Sequence, residues 1–154
     1  MKYVRNLSLV LTLLSAPALA QDPEALNRFR TGYELMQKRS YRNAAIELEQ
    51  AVAIDTSYGN AHYVLAQAYK VLNEYDKAIA SFSAARALGT KPERAARELG
   101  QLYHKAAISS FGQKKYRAAI GYFQNALEFN PQNAKAHYAL GLSYNGLRET
   151  AKAR

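Results

Sequence analysis

Histidines and carboxylates are the side chains of this sequence that could support metal binding or acid–base catalysis. The three histidines, His62, His104 and His137, contain no close-spaced pair such as H-x-x-x-H, which would put two ligands on one helix face. His62 and His137 occupy the same place in two units of an internal repeat, which is typical of a packing position. The carboxylates are few, and nothing in their placement indicates a catalytic pair, although such a pair needs no fixed motif.

Motifs for nucleophilic and phosphate chemistry do not occur in the sequence either. There is no G-x-S-x-G, no Gly-rich phosphate loop and no H-E-x-x-H. The absence of cysteine excludes disulfides, thiolate metal sites, a cysteine nucleophile and a lipid-modified cysteine. The sequence therefore predicts a non-catalytic protein with no cofactor and no metal site.

The first twenty residues carry the pattern of a secretory signal peptide. Lys2 and Arg5 form a basic start, an apolar run follows over 7–14, and Ala18-Leu19-Ala20 supplies the small residues that a signal peptidase recognises. The alternative is a buried or anchoring N-terminal helix, but the apolar run is too short to span a bilayer. We expect cleavage after Ala20, which places the mature chain, residues 21–154, in the bacterial periplasm or outside the cell.

Charge and composition restrict the class of partner. The formal net charge of +9 falls by two when Lys2 and Arg5 are removed with the signal peptide. A basic surface can attract nucleic acid, anionic lipid or acidic proteins, but export argues against nucleic acid, and an ordinary solvated surface is the simplest interpretation. No second apolar run is long enough to cross a membrane.

One pattern occurs three times in the chain, and its first half occurs a fourth time. The copies of its second half begin at spacings of 34 and 41 residues, and a set of small residues precedes each copy. The aligned positions of the second half are Tyr41, Tyr75 and Tyr116; Ala44, Ala78 and Ala119; Leu48, Phe82 and Phe123; Ala51, Ala85 and Ala126. The preceding small residues are Gly32, Ala66, Ala107 and Gly141, so a fourth unit begins within the sequence.

Each unit contains two amphipathic helical patterns. In the second unit, apolar residues at three- and four-residue steps predict helices over 60–72 and 75–88. The small residues lie where two antiparallel helices must approach closely, and one unit cannot bury its own apolar face, so units must stack. The predicted fold is an all-α solenoid of antiparallel helix pairs, with three full repeats at about 25–58, 59–92 and 100–133 and a partial repeat at 134–154.

This pattern resembles the tetratricopeptide repeat (TPR), which implies a right-handed solenoid. The resemblance rests on a small residue before an aromatic, as in Ala66 with Tyr69 and Gly141 with Tyr144, on the aligned second-half positions, and on Pro131. It covers nearly all of the mature chain. The chain departs from the family pattern where the early Trp is replaced by Arg28, His62, Tyr103 and His137, and where the terminal Pro of units one and two is Thr56 and Thr90.

The period lengthens by seven residues between units two and three, which corresponds to about two helical turns. Thr90 and Glu93 have the spacing of a capping box, and Pro92 suits a first helical turn. We therefore predict that this helix begins near Pro92, with 93–99 as a protruding extension. A loop is the alternative, because Gly100 weakens a helix.

The resemblance also implies which side chains line a concave partner-binding groove, since the first helix of each TPR unit faces it. Most of these side chains are aromatic or aliphatic, which suits an extended peptide or a partner helix, although each could instead pack against a neighbouring helix. Some family members grip a C-terminal carboxylate with Lys and Asn, but Phe29 and Tyr33 occupy two of those positions, so that clamp is not expected. The implied groove residues are Phe29, Tyr33, Met36, Tyr63, Gln67, Lys70, His104, Ile108, Phe111, Tyr138, Leu142 and Asn145.

The sequence thus predicts an exported, non-catalytic adaptor that binds a protein or peptide, with no nucleic-acid partner and no membrane span. One alternative is a structural module that self-associates into a homo-oligomer through uncapped repeat ends. Another is a fragment of a longer TPR protein. Both alternatives follow from Leu140, Tyr144 and Leu147, which the last predicted helix leaves partly uncovered.

Overall fold

The protein is a stack of seven α-helices joined by short turns. A computed structural model describes residues 22–152, and these residues contain no strand. The predicted signal peptide over 1–20 lies outside them. The helices are α1 (Pro23–Gln37), α2 (Tyr41–Ile54), α3 (Gly59–Val71), α4 (Tyr75–Ala87), α5 (Pro92–Gly112), α6 (Tyr116–Phe129) and α7 (Ala134–Lys152). Each helix packs against the next along the chain, which confirms the predicted all-α solenoid of helix pairs.

The same turn closes each helix pair. Its central residue is left-handed in all three pairs, with φ of 58° at Arg39, 59° at Asn73 and 58° at Lys114. The residue that follows donates its N–H to the carbonyl five positions back, as from Ser40 to Leu35 at 2.9 Å. These bonds satisfy carbonyls that the end of a helix otherwise leaves unpaired.

Small residues facing large ones hold the two helices of each pair together. A Cβ added to Gly32 on α1 would lie 2.6 Å from Cγ of Leu48 on α2, so no side chain larger than hydrogen fits there. The three aligned large residues contribute about 1.5–3 kcal/mol each through burial. The repeat positions that are 0% exposed include Leu48, Phe82 and Phe123, together with Ala44, Ala78 and Ala119.

A shared core joins one unit to the next. Leu48 from α2, Tyr63 from α3, Phe82 from α4 and Leu99 from α5 belong to one apolar cluster that crosses three units. A further cluster around Phe123 joins unit three to α7. The units therefore depend on their neighbours for burial, as expected for a linear repeat.

His62 and His137 fix the turns between units. Nε2 of His62 lies 3.0 Å from the carbonyl oxygen of Thr56, and Nε2 of His137 lies 2.8 Å from that of Pro131. Each ring thus binds the backbone six residues earlier, which gives their shared repeat position a structural role. Within residues 22–152, no group of three His, Asp or Glu side chains could hold a metal ion.

Two tyrosines bond to carboxylates on other helices. Tyr69 on α3 donates its hydroxyl to Glu49 on α2, and Tyr122 on α6 donates to Asp76 on α4. Burial and the bond to Glu49 raise the pKa of Tyr69, while the bond to Asp76 and burial raise the pKa of Tyr122 to about 12. Both hydroxyls therefore remain protonated near neutral pH and keep these links between helices.

The segment predicted to extend the first helix of the third unit lies within helix α5. α5 begins at Pro92 and has 21 residues, against 15 in α1 and 13 in α3. The helix continues through Gly100. The missing side chain of Gly100 lets α6 approach closely, because a Cβ there would lie 2.8 Å from Cβ of Phe129.

The predicted capping box at the start of α5 does not form. Lys91, not Thr90, is the N-cap residue; its backbone is left-handed at φ 47°, and no side chain caps the helix. Thr90 instead packs against α3, where its hydroxyl occupies the space that a Cβ on Gly59 would need. The left-handed Lys91 carries the chain away from the extended geometry that a capping residue needs.

Gly141 corrects another expectation, since it was predicted to lie at a close helix approach. Nothing lies within 4 Å of a Cβ built on it. The aromatic side chain three residues after Gly141 is also uncovered. Tyr144 is 48% exposed, whereas its repeat equivalent Tyr69 is 5% exposed. Within the described residues no second helix of unit four covers this face of α7.

The two equivalent glycines should therefore respond to alanine with opposite signs. Gly32→Ala should lower the free energy of unfolding by about 1–3 kcal/mol, because the new methyl group overpacks against Leu48. Gly141→Ala should raise it by about 0.5–1 kcal/mol, because Ala is the better helix former and meets no neighbour. Urea unfolding followed by circular dichroism measures both changes, and shifts of the same sign would contradict the difference in packing.

Candidate partner-binding surface

Helices α1, α3, α5 and α7 form one side of the stack, here called the odd-helix face. Direct contacts join α1 to α3 and α5 to α7. Between α3 and α5, Nζ of Lys70 lies 2.7 Å from Oε2 of Glu98, and both side chains are partly buried. All of the predicted groove residues lie on these four helices.

A pocket of about 370 Å³, here called the α1–α3 pocket, opens between α1 and α3. The structure brings four predicted residues together in its lining, namely Tyr33, Met36, Gln67 and Lys70. Tyr33 is 47% exposed and Val71 at the rim is 48% exposed. The pocket therefore offers aromatic and aliphatic contact area beside the amides of Gln37 and Gln67 and the ammonium group of Lys70.

The predicted residues of α5 and α7 lie outside that pocket. Ile108 is 53% exposed, and Tyr138 and Leu142 are 72% and 38% exposed, so all three present apolar surface. Asn145 is exposed as well. Phe111 is half-buried, and its ring meets that of Tyr116 edge-on with the centroids 5.6 Å apart.

The prediction that Tyr63 faces a groove is wrong. Its side chain is 2% exposed, and its ring packs edge-on against Phe82 with the centroids 5.2 Å apart. Phe29 is half-buried and packs against Tyr58 at 4.9 Å between ring centroids, so most of its ring belongs to the core. Tyr63 is a core residue because α4 and the start of α5 cover that side of α3.

A second pocket, of about 490 Å³, lies between α5, the end of α6 and the turn before α7, and is here called the α5–α6 pocket. Predicted residue His104 lines it. The His104 ring meets Phe123 edge-on at 5.8 Å, and its Nδ1 is buried without a hydrogen-bond partner among the described residues. The two pockets thus contain five of the predicted groove residues, four in the α1–α3 pocket and His104 in the α5–α6 pocket.

Sequence reasoning missed several lining residues of both pockets. Tyr41 and Val64 line the α1–α3 pocket, although Tyr41 was recognised only as a repeat position. Arg97, Lys105 and Phe129 line the α5–α6 pocket. The seven-residue lengthening of the period was the available signal for the second pocket, because Arg97 belongs to the additional segment 93–99.

Comparison with protein families agrees with this geometry. The model described as "Tetratricopeptide repeat" matches residues 29–91 and 63–107, and the one described as "TPR repeat" matches residues 111–147. The chain belongs to the tetratricopeptide repeat family. TPR units generally form non-catalytic modules for protein interaction.

Solved structures include similar folds. One is a crystal structure of MamA, 27% identical to this TPR chain, covering 81% of it and 70% of MamA, with a TM-score of 0.51. The second TPR domain of human RPAP3 in complex with the HSP70 peptide SGPTIEEVD is 20% identical, with coverage of 79% and 95% and a TM-score of 0.49. The Sgt2 TPR domain from Aspergillus fumigatus is 19% identical, with coverage of 88% and 86% and a TM-score of 0.49. A search of curated protein sequences gave no match.

Substitutions at Tyr63 test its assignment to the core. Tyr63→Ala should lower the free energy of unfolding by about 3–5 kcal/mol, because it empties the space against Phe82. Tyr63→Phe should retain or raise stability, because the Tyr63 hydroxyl is buried with no hydrogen-bond partner. Tyr33→Ala, at an exposed site on the odd-helix face, should change stability by about 0.5 kcal/mol or less. Urea unfolding of the three variants checks the order, and equal losses for Tyr63→Ala and Tyr33→Ala would contradict it.

Proposed function

We propose that this chain is an exported adaptor that binds an extended peptide or a helix of another protein on its odd-helix face and catalyses no reaction. The observation that carries this proposal is the α1–α3 pocket, where the exposed Tyr33 and Val71 flank an opening of about 370 Å³. Tyrosine is among the residues that supply most of the binding energy at interfaces, and apolar grooves accept extended peptides and amphipathic helices. Membership of a family of interaction modules supports the same assignment.

The polar groups of the α1–α3 pocket suit the backbone of a bound segment. Gln67 offers both a donor and an acceptor in its amide group, which can pair with one peptide unit of a guest. Lys70 is held by Glu98 at 2.7 Å, so its ammonium group is positioned before any guest binds. On the same odd-helix face, Ile108 on α5 and Leu142 on α7 also present exposed apolar side chains.

The proposed location is the bacterial periplasm or the outside of the cell. This part of the proposal rests on the basic start, apolar run and Ala18-Leu19-Ala20 end of the first twenty residues. Among residues 22–152, no helix combines the length and the apolar character needed to cross a membrane.

Peptides selected from a display library against residues 21–154 should depend on the α1–α3 pocket. Replacing both Tyr33 and Val71 with Ala should weaken their binding by about 30-fold, because losing a buried aromatic anchor costs about 2 kcal/mol. Fluorescence polarisation of synthetic copies of the selected peptides measures the change. Circular dichroism of the double variant verifies that its helical content is intact.

A matched control comes from the opposite side of the stack. Ile46 and Ile54 on α2 are 48% and 40% exposed, so replacing both with Ala removes comparable apolar area away from the odd-helix face. Peptide affinity should stay unchanged in this variant. An equal loss in both double variants would indicate non-specific apolar binding, and a library without any binder would contradict a peptide groove.

A second candidate function is self-association through α7. Gly32 is covered by Leu48, while its equivalent Gly141 is uncovered and Tyr144 beside it is 48% exposed. Repeat arrays need a polar or covered outer face at their ends. An apolar strip of this kind on α7 suits contact with a second copy of the chain.

Sedimentation equilibrium over a wide range of protein concentration tests this candidate. Association should appear as the concentration rises, and Tyr144→Ser should weaken it because the ring lies on the uncovered strip. Tyr138→Ser is the control, since Tyr138 is 72% exposed on the neighbouring strip of the same helix. A particle that stays monomeric at every concentration would argue against self-association.

A further inference from the structure

We propose that the α5–α6 pocket binds an acidic side chain of the partner peptide, with a neighbouring apolar side chain of the same peptide on the pocket floor. This inference rests on the proposed peptide-binding function and specifies the chemistry of the partner. The pocket, of about 490 Å³, is the size of one or two side chains and has both apolar and cationic groups in its lining.

The extra turns of α5 build one wall of this pocket. Ala96 and Arg97 line it, and both belong to the segment that lengthens the repeat period. A helix that began near Gly100, as the regular spacing of 34 residues would require, would lack both side chains. The lengthened period therefore has a structural product, since it supplies two of the side chains that line this cavity.

The floor of the pocket is apolar and held in place from several sides. Phe129 forms it together with Ala126. The ring of Tyr103 stacks on Phe129 with the centroids 5.9 Å apart, and Cζ of Arg86 lies 5.7 Å from the Phe129 centroid. Because Gly100 lets this ring approach α5 closely, the floor is fixed before a ligand arrives, which lowers the entropic cost of binding.

The charges around this floor have one sign. Arg97, Gln101 and Lys105 follow each other at four-residue steps, so they lie along one strip of α5. The pocket lining contains no Asp or Glu. Across residues 22–152, no ion pair engages Arg97 or Lys105, while the adjacent Glu98 is already bonded to Lys70. A carboxylate placed here would therefore be attracted by two cations, and no negatively charged side chain of the lining would repel it.

An asparagine adds a neutral donor to the same pocket. Oδ1 of Asn133 accepts the N–H of Ala136 at 3.2 Å, which caps α7. This bond leaves the NH₂ group of Asn133 to donate to a ligand. Cations and an amide donor around an apolar floor match Asp or Glu next to an aliphatic or aromatic residue.

The test uses peptides selected from a display library on the chain of residues 21–154, resynthesised with each Glu replaced by Gln and each Asp by Asn. The selected peptides should be enriched in Asp or Glu beside an apolar residue. Arg97→Gln combined with Lys105→Gln should weaken their binding at least about tenfold and should reduce its dependence on salt. The peptide amide variants should lose the same affinity, and combining the two changes should cost little more than either alone.

Arg94→Gln combined with Arg42→Gln is the matched control. It removes the same net charge from exposed positions on α5 and α2 outside the pocket lining, and it should change affinity by less than about twofold. An equal loss in this control, or no enrichment of acids, would overturn the acidic subsite. Peptides that need Tyr33 and Val71 but not Arg97 and Lys105 would overturn the subsite and leave the adaptor function standing. A library without any binder would overturn both.

Discussion

The whole structure depends on one packing constraint: a small residue on the first helix of each full unit must face a large residue on the second. Leu48 lies so close to Gly32 that even one added carbon would overlap with it. Since interiors are packed as densely as crystals, such a fit transmits any change of volume to the neighbouring helix. The same fit commits the large side chains of α2, α4 and α6 to the core, which leaves the outer sides of α1, α3, α5 and α7 available to a partner.

The repeat alignment predicted the helix pairs because the spacing of small and large residues states which faces must meet. It also predicted the start of α5, because Pro92 and the seven additional residues are explicit in the sequence. The alignment failed at Tyr63, since transferring a groove position from a family assumes that nothing else covers it. Here Phe82 packs against the Tyr63 ring, and Nζ of Lys91 lies 4.7 Å above it. Lys91 is 28 positions from Tyr63 in the sequence, and a contact at that separation cannot be obtained from the periodicity of one helix.

The lining of the two pockets could not be predicted in detail either, because it also depends on contacts between separate helices. Each forms where side chains from separate helices leave space, and that space depends on distances of a few tenths of an ångström. The α5–α6 pocket requires Phe129 to reach Gly100, and the sequence shows Gly100 only as a weak helix former. The start of α5 shows the same limit. Thr90 and Glu93 have capping-box spacing, but the left-handed backbone of Lys91 removes the geometry that this motif needs.

The open slot at Gly141 has a consequence for protein engineering. Each hairpin of a linear repeat contacts only its neighbours. A copy of α6 grafted after α7 would therefore pack against Gly141, in the way that α2 packs against Gly32 through Leu48. The graft would need a large residue facing Gly141 and the left-handed turn seen at Lys114 to reverse the chain. The array could then be lengthened by one building block at a time without redesigning the blocks already present.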